Sequence, residues 1–391
     1  MSNQTKTIAT HTSPDPDAIA AIWLLVRYLG LKLKNVSFWF MEGQNTELTT
    51  LIHNMVSVDR GFGPMDHHSW GLGQQTSTSL VAKELKIKDI FVNLLMKLVA
   101  DSDLRGISPS FSLAYILKCV QRNKDMNDEE KVILGLRVIS ALESFCKNDV
   151  NRNNARVNSL IKSLLPIGII PKQISDYQNQ LKNPRFVRDL DFVEIILGEE
   201  SLNNKKQAED LAAILIKIVY KDSILYYEAQ SQLNTAIKAM MKEHLIIAQT
   251  TDNTKFNTAA RSENASIAIQ RQTNGSTQIY FNNQKNIEDS MIGCLVSVIR
   301  LEELLTQNRP IPPKDLRALG TIKEIPEWYF FKAENGPGRF ILNGSLTTPD
   351  IPPSRISLET LVFLTGLVIK FWPKFNWVKW QEERVAYYKN K

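Results

Sequence analysis

The chain has 391 residues and a formal net charge of +6, with 43% hydrophobic and 23% charged residues. That length holds two domains with full cores, and the composition excludes a disordered chain. The three cysteines, Cys119, Cys146 and Cys294, stand far apart with no paired spacing, which excludes a disulfide framework. The basic balance favours an anionic partner such as a nucleotide, nucleic acid or polyphosphate.

In chain order, "TKTIATH" reads as a short strand and "TSPDPD" as a turn cluster. "AIAAIWLLVRYLGL" follows as an apolar helix closed by Gly30. "NVSFWFME" is a second strand, "NTELTTLIHNM" a helix, and "VSVD" a third strand that ends on Asp59. This alternation predicts a parallel α/β sheet, whose sites lie beyond the carboxyl ends of the strands. From "STSLVAKELKI" to about residue 248 the pattern is mostly helical. "DIFVNLLMKLVADSD", "EEKVILGLRVISALESF" and "ARVNSLIKSLLPIG" are individual helices, and residues 205–244 form one long amphipathic stretch. Strand signals return in "LIIAQTT", "ASIAIQRQ" and "TQIYFNN", the last two joined by the hairpin signal "TNGS". "IEDSMIGCLVSVIRLEELL" is a helix, and a Pro- and Gly-rich region follows it. The expected architecture is α/β: an N-terminal parallel-sheet lobe with helices on both faces (1–200), a helical connector (201–247) and a smaller C-terminal α+β lobe (248–391). The polar N-terminus lacks the plan of a secretory signal, and no apolar run is long enough to span a bilayer. The expectation is a cytoplasmic protein with no membrane partner.

The chemistry concentrates in the first hundred residues. "HTSPDPDA" offers His11, Asp15 and Asp17 from one bent, proline-flanked loop. Such a loop aims two carboxylates at adjacent points, as a pair of metal ions about 3.5–4 Å apart requires. Asp59 is placed to bridge the pair, and His67 adds an imidazole. In "LVADSDLRG", Asp101 or Asp103 completes the shell, and the sequence does not choose between them. A carboxylate-rich set with imidazoles and no thiolate points to hydrolysis rather than a structural zinc. His68 then faces a phosphate oxygen or the leaving alkoxide, with Asp66 orienting the histidines and Arg105 close enough to clamp a phosphate. The plainer reading of "PDPDA" is a helix start at which an aspartate caps.

Together "HTSPDPDAIAA", "VSVD" and "MDHHSWG" resemble three successive motifs of the DHH phosphoesterase superfamily, which includes RecJ-type exonucleases, nano-RNases, cyclic-dinucleotide phosphodiesterases and manganese-dependent pyrophosphatases. The resemblance implies metal-ligand roles for His11, Asp15, Asp17, Asp59 and His67, with Asp101 or Asp103 from a fourth motif. It makes Asp59, Asp66, His67 and His68 the catalytic group, with Asp66 supporting the ligands and His68 touching phosphate. Only six residues separate Asp59 from Asp66, which looks like a divergent branch with the second and third motifs merged. The glycine-rich phosphate loop of many members is also missing. "ENGPGRFILNGS" stands near its place, with Gly336, Gly338, Arg339, Asn343, Gly344 and Ser345 as a possible substitute; an ordinary glycine-rich turn fits equally.

The tail "FWPKFNWVKWQEERVAYYKNK" mixes aromatics and cations as a single-strand-binding surface does, although packing onto the core is the preferred reading. Trp70 is placed to stack on a base or to wall the pocket. The expected activity is metal-dependent phosphodiester hydrolysis of short oligonucleotides, dinucleotides or single-stranded nucleic acid by a hydroxide on two divalent ions. Mn²⁺ is the first choice, with Mg²⁺ or Co²⁺ as alternatives, and a homodimer stays open. The competing readings are a pyrophosphatase or polyphosphatase, and a catalytically silent nucleotide sensor.

Overall fold

The computed structural model describes residues 6–41, 55–59, 64–67, 75–166, 168, 170–183, 185–187, 190–312, 315–332, 338–344 and 351–389. The chain divides into two compact units, Met1–Ile224 and Leu225–Lys391. The fold is mixed α/β, with a three-stranded parallel sheet in the first unit and a second sheet in the other. Among the described residues, no helix is long and apolar enough to cross a membrane.

The first unit begins with β1 (Lys6–His11), α1 (Pro16–Tyr28), β2 (Val36–Met41) and β3 (Met55–Ser57). The strands run parallel in the order β2-β1-β3, so β1 is central and His11 lies at its carboxyl end. The helix expected over "NTELTTLIHNM" falls almost wholly outside the described residues. Helix α1 starts two residues before the expected "AIAAIWLLVRYLGL": Asp15 caps it and Pro16 opens it. Just past its C-cap Leu29, the chain turns away at Gly30, whose φ of +62° is the left-handed conformation glycine adopts without penalty. Every residue from Pro16 to Leu25 is buried, the mark of a helix surrounded by protein.

Around it stand α2 (Ser77–Glu84), α3 (Ile90–Asp103), α4 (Leu113–Arg122), α5 (Asp128–Lys147), α6 (Asn154–Leu164), α7 (Lys172–Leu181), α8 (Phe192–Leu202) and α9 (Lys205–Gln232), with the unit boundary inside α9. Two glycines set the closest approaches. A Cβ on Gly135 of α5 would meet Ile19 Cγ2 of α1 at 2.5 Å, and one on Gly198 of α8 would meet the Ala141 carbonyl oxygen of α5 at 1.9 Å. The long helix expected through residue 244 stops at Gln232.

The second unit continues with β4 (Ile237–Met241), β5 (His244–Thr250), α10 (Phe256–Ser262), β6 (Ile267–Arg271), β7 (Thr277–Phe281), α11 (Asp289–Thr306), β8 (Gly320–Ile322), β9 (Ile325–Lys332), β10 (Arg339–Asn343), α12 (Leu358–Phe371) and α13 (Trp377–Lys389). "IKAMM", expected to be helical, is therefore strand β4, held by antiparallel pairing with β5. The seven strands order as β4-β5-β6-β7-β10-β9-β8. The "TNGS" hairpin forms as expected, with Gly275 at φ +90°. The aromatic tail packs: Trp372, Phe375, Trp377 and Trp380 lie against the apolar core of this unit, and Arg384 and Tyr388 bond to the buried Glu302.

Gly198→Ala puts a methyl group against backbone that has no side chain to yield. The helix-propensity gain of about 1 kcal/mol is outweighed, and a net loss of about 1–3 kcal/mol is expected. Chemical denaturation measures it; unchanged stability contradicts the close α5–α8 approach.

Candidate metal centre

The site grows from the ends of β1 and β3. His11 ends β1 with its ring buried, and its Nδ1 lies 2.7 Å from the Thr12 carbonyl oxygen. A ring nitrogen facing a carbonyl donates its proton, which leaves Nε2 turned to Asp59 Oδ2 at 3.3 Å. The next loop is pinned from outside. Ser13, at φ +54°, donates its N–H to Asp128 Oδ2 of α5 (3.0 Å), and Gln121 Nε2 of α4 donates to the Ser13 carbonyl (3.0 Å). Asp15 Oδ1 accepts the N–H groups of Asp17 and Ala18, both at 2.9 Å. Capping thus uses Oδ1 of Asp15, a residue that also stands in one of the candidate donor sets.

Asp59 lies two residues beyond β3, 1% exposed, with φ at +56°. Aspartate tolerates this left-handed conformation better than most residues do. The Asp59 N–H bonds the Met65 carbonyl at 3.2 Å, and next in the chain come Asp66, itself buried, and His67. His67 Nδ1 lies 3.1 Å from Asp59 Oδ1 and 3.3 Å from Asp17 Oδ2, and Nε2 lies 3.5 Å from Asp103 Oδ2. Two sets of donors result, His11–Asp15–Asp59 and Asp17–His67–Asp103, each with ligand atoms within 4.8 Å of one another. Asp59 touches a histidine of each set. Carboxylates with imidazoles and no thiol suit a divalent cation such as Mn²⁺ or Mg²⁺.

Of the two aspartates the sequence left open, Asp103 joins the cluster. Asp101 is bonded instead to Arg105 Nη1 at 2.6 Å. His68, Trp70, Gly336 and Ser345 lie outside the described residues. At the two ends of β10, Arg339 Nη1 donates to the Ile287 carbonyl and Asp289 Oδ1, while Asn343, fully buried, donates to the Glu327 and Pro352 carbonyls and accepts from the Ser354 N–H. These are bonds that hold β10 to its own unit. Gly344 sits at φ +73° beside them. Sequence reasoning passed over Ser77 and Thr78, read only as the start of a helix. The run of hydroxyl residues "TSTS" was the available signal.

The electrostatics describe a cluster short of positive charge. Burial alone would lower His11, but the Asp59 hydrogen bond and the Asp15 and Asp59 charges outweigh it and raise its pKa to about 9. Burial likewise opposes His67, yet hydrogen bonds to Asp17 and Asp59 carry it up to about 11. Burial and the neighbouring Asp59 charge raise Asp15 to about 6; burial with the Asp15 and Asp17 charges raises Asp103 to about 7. Burial works against the Asp59 anion too, but bonds to both histidines hold its carboxyl well below the usual range.

No protein-family model matches the chain, and no curated protein matches it in sequence. Among solved structures, the chain is similar to RecJ from Thermus thermophilus in complex with Mn²⁺ at 13% identity and a TM-score of 0.39, over 94% of this chain and 53% of that one. It is similar to the same protein in complex with Mg²⁺ at 10% identity and a TM-score of 0.39, over 97% and 55%. An exonuclease RecJ bound to manganese matches at 12% identity and a TM-score of 0.40, over 96% and 92%. The chain spans about half the length of the two Thermus thermophilus structures.

Both imidazoles are shifted toward the protonated form, so if they hold a cation they would release those protons on binding it. Metal affinity is therefore expected to rise with pH from 6 through the His11 value of about 9 and on toward the His67 value of about 11, with protons released on binding. Calorimetry in two buffers of different ionisation enthalpy measures that release. Metal uptake with no proton release contradicts the ligand roles of His11 and His67.

Proposed function

We propose that this protein is a metal-dependent phosphodiester hydrolase of the DHH type. The observation that carries the reading is the pair of donor sets joined at Asp59, which is itself buried just beyond the carboxyl end of β3, next to the end of the parallel strand β1. His11, Asp15 and Asp59 would hold one divalent cation; Asp17, His67, Asp103 and the shared Asp59 would hold the other. Two such ions, when bound, make a water nucleophilic near neutral pH and offset charge on the phosphoryl oxygens.

The chain's own residues supply the rest. Asp59 fixes the spacing of the two sets, because its Oδ1 faces His67 and its Oδ2 faces His11. The Thr12 carbonyl sets the His11 ring. His68, adjacent to His67 in sequence, is assigned the phosphate oxygen or the proton delivered to the leaving alkoxide, and Asp66 the support of the histidine pair. Water adds to phosphorus as it gives up a proton to solvent, the ester P–O bond breaks, and the departing oxygen takes the proton assigned to His68. The substrate class assigned is a short oligonucleotide, a dinucleotide or single-stranded nucleic acid, in keeping with the net charge of +6. The aromatic tail adds nothing to that assignment, since its tryptophans serve the core of the second unit.

Hydrolysis of linear and cyclic dinucleotides, 5′-labelled single-stranded DNA and RNA, and pyrophosphate, with Mn²⁺ or with EDTA, tests the proposal. Cleavage of a diester with Mn²⁺, abolished by EDTA and reduced at least about a thousandfold in Asp59→Ala, is expected. Turnover of pyrophosphate alone replaces the diester with a phosphoanhydride. Manganese binding without turnover of any member supports the sensor reading instead.

A further inference from the structure

The start of α2 is wired into both donor sets. Thr76 caps the helix, and Thr76, Ser77 and Thr78 are all buried. Asp17 Oδ2 accepts the Ser77 N–H at 2.7 Å, and Asp17 Oδ1 accepts both the Thr78 N–H at 2.9 Å and the Thr78 hydroxyl at 2.6 Å. Ser77 Oγ donates to Asp59 Oδ1 at 3.1 Å and lies 3.4 Å from His67 Nδ1. Two neighbouring hydroxyl residues thus fix the carboxylates of Asp17 and Asp59, each by a different side chain. The N–H groups at a helix start carry partial positive charge and so attract the carboxylate they face.

We infer that Ser77 and Thr78 are positioning residues that preorganise the two donor sets for metal, acting through Asp17 and Asp59 rather than by contact with an ion. The inference rests on the two-cation reading above. The division of labour is specific. Thr78 acts on Asp17, which belongs to one set, so its hydroxyl governs one cation. Ser77 acts through its hydroxyl on Asp59, which faces both histidines, so it governs both. Removing either hydroxyl leaves the α2 backbone N–H groups in place.

Manganese titrations of the full chain, by calorimetry and by electron paramagnetic resonance of free Mn²⁺, test this with wild type, Thr78→Val, Thr78→Ser and Ser77→Ala. Circular dichroism and thermal melting establish that each is folded. Wild type is expected to bind two ions. Thr78→Val should weaken one of them by about tenfold or more while the other is unchanged, as loss of a ligand's supporting hydrogen bond does. Thr78→Ser keeps the hydroxyl and should restore wild-type binding, and Ser77→Ala should weaken both ions. Two ions bound by folded Thr78→Val with wild-type affinity, or equal weakening of both, overturns the inference. Should Thr78→Val fail to fold, the other two variants decide: wild-type affinity in Ser77→Ala, or weakened binding in Thr78→Ser, overturns it. A wild type that binds fewer than two ions contradicts the two-cation reading itself, and the inference falls with it.

Discussion

Everything at the site turns on one buried carboxylate. Asp59 is 1% exposed, sits in left-handed backbone, and faces His11 with one oxygen and His67 with the other. A carboxylate taken out of water needs charged partners or hydrogen bonds. Here they come from the end of β1, from His67 and from the start of α2, three separate parts of the chain. Strand pairing does the first part of the work. Ala9 registers against Ser57, and the Val58 N–H bonds the Ala9 carbonyl, which sets Asp59 beside His11.

The scaffold around that point is rigid because α1 is enclosed. Its first ten residues are buried, Gly135 lets α5 approach Ile19 closely, and Trp23 Nε1 donates to Ser140 Oγ of α5. Helices α4 and α5 then reach back to the His11–Asp15 loop through Gln121 and Asp128. Left-handed backbone at Ser13 and Asp59 costs energy, and such strain persists where the surroundings over-determine it. The core packs the helices, the helices clamp the loop, and the loop presents the carboxylates.

Much of this is legible in the sequence because strand ends and polar residues coincide there. A β-prone run ending in histidine, followed by proline-spaced aspartates and an apolar helix, specifies where His11, Asp15 and Asp17 stand. Asp59 and His67 follow from a third strand and an unusual pair of histidines. The choice between Asp101 and Asp103 was not legible. Both lie in the last turn of α3, and the rotation of that turn decides which one meets His67 and which one meets Arg105. Ser77 and Thr78 were hidden for another reason: hydroxyl residues at a helix start are expected as caps, and only the tertiary placement of α2 turns them toward Asp17 and Asp59. "IKAMM" has no period that separates helix from strand over five residues, and β5 decides the matter by pairing with it. In the second unit, Arg339 and Asn343 carry the right chemistry for phosphate but spend it on carbonyls of their own unit and on Asp289.

Two cations sharing Asp59 is the claim on which the proposed chemistry stands. Anomalous diffraction at the manganese edge, from crystals grown with Mn²⁺, tests it most directly. Two peaks are predicted, one within bonding distance of His11, Asp15 and Asp59, the other within bonding distance of Asp17, His67, Asp103 and again Asp59. A single peak, or two peaks of which only one touches Asp59, would contradict the shared-carboxylate site.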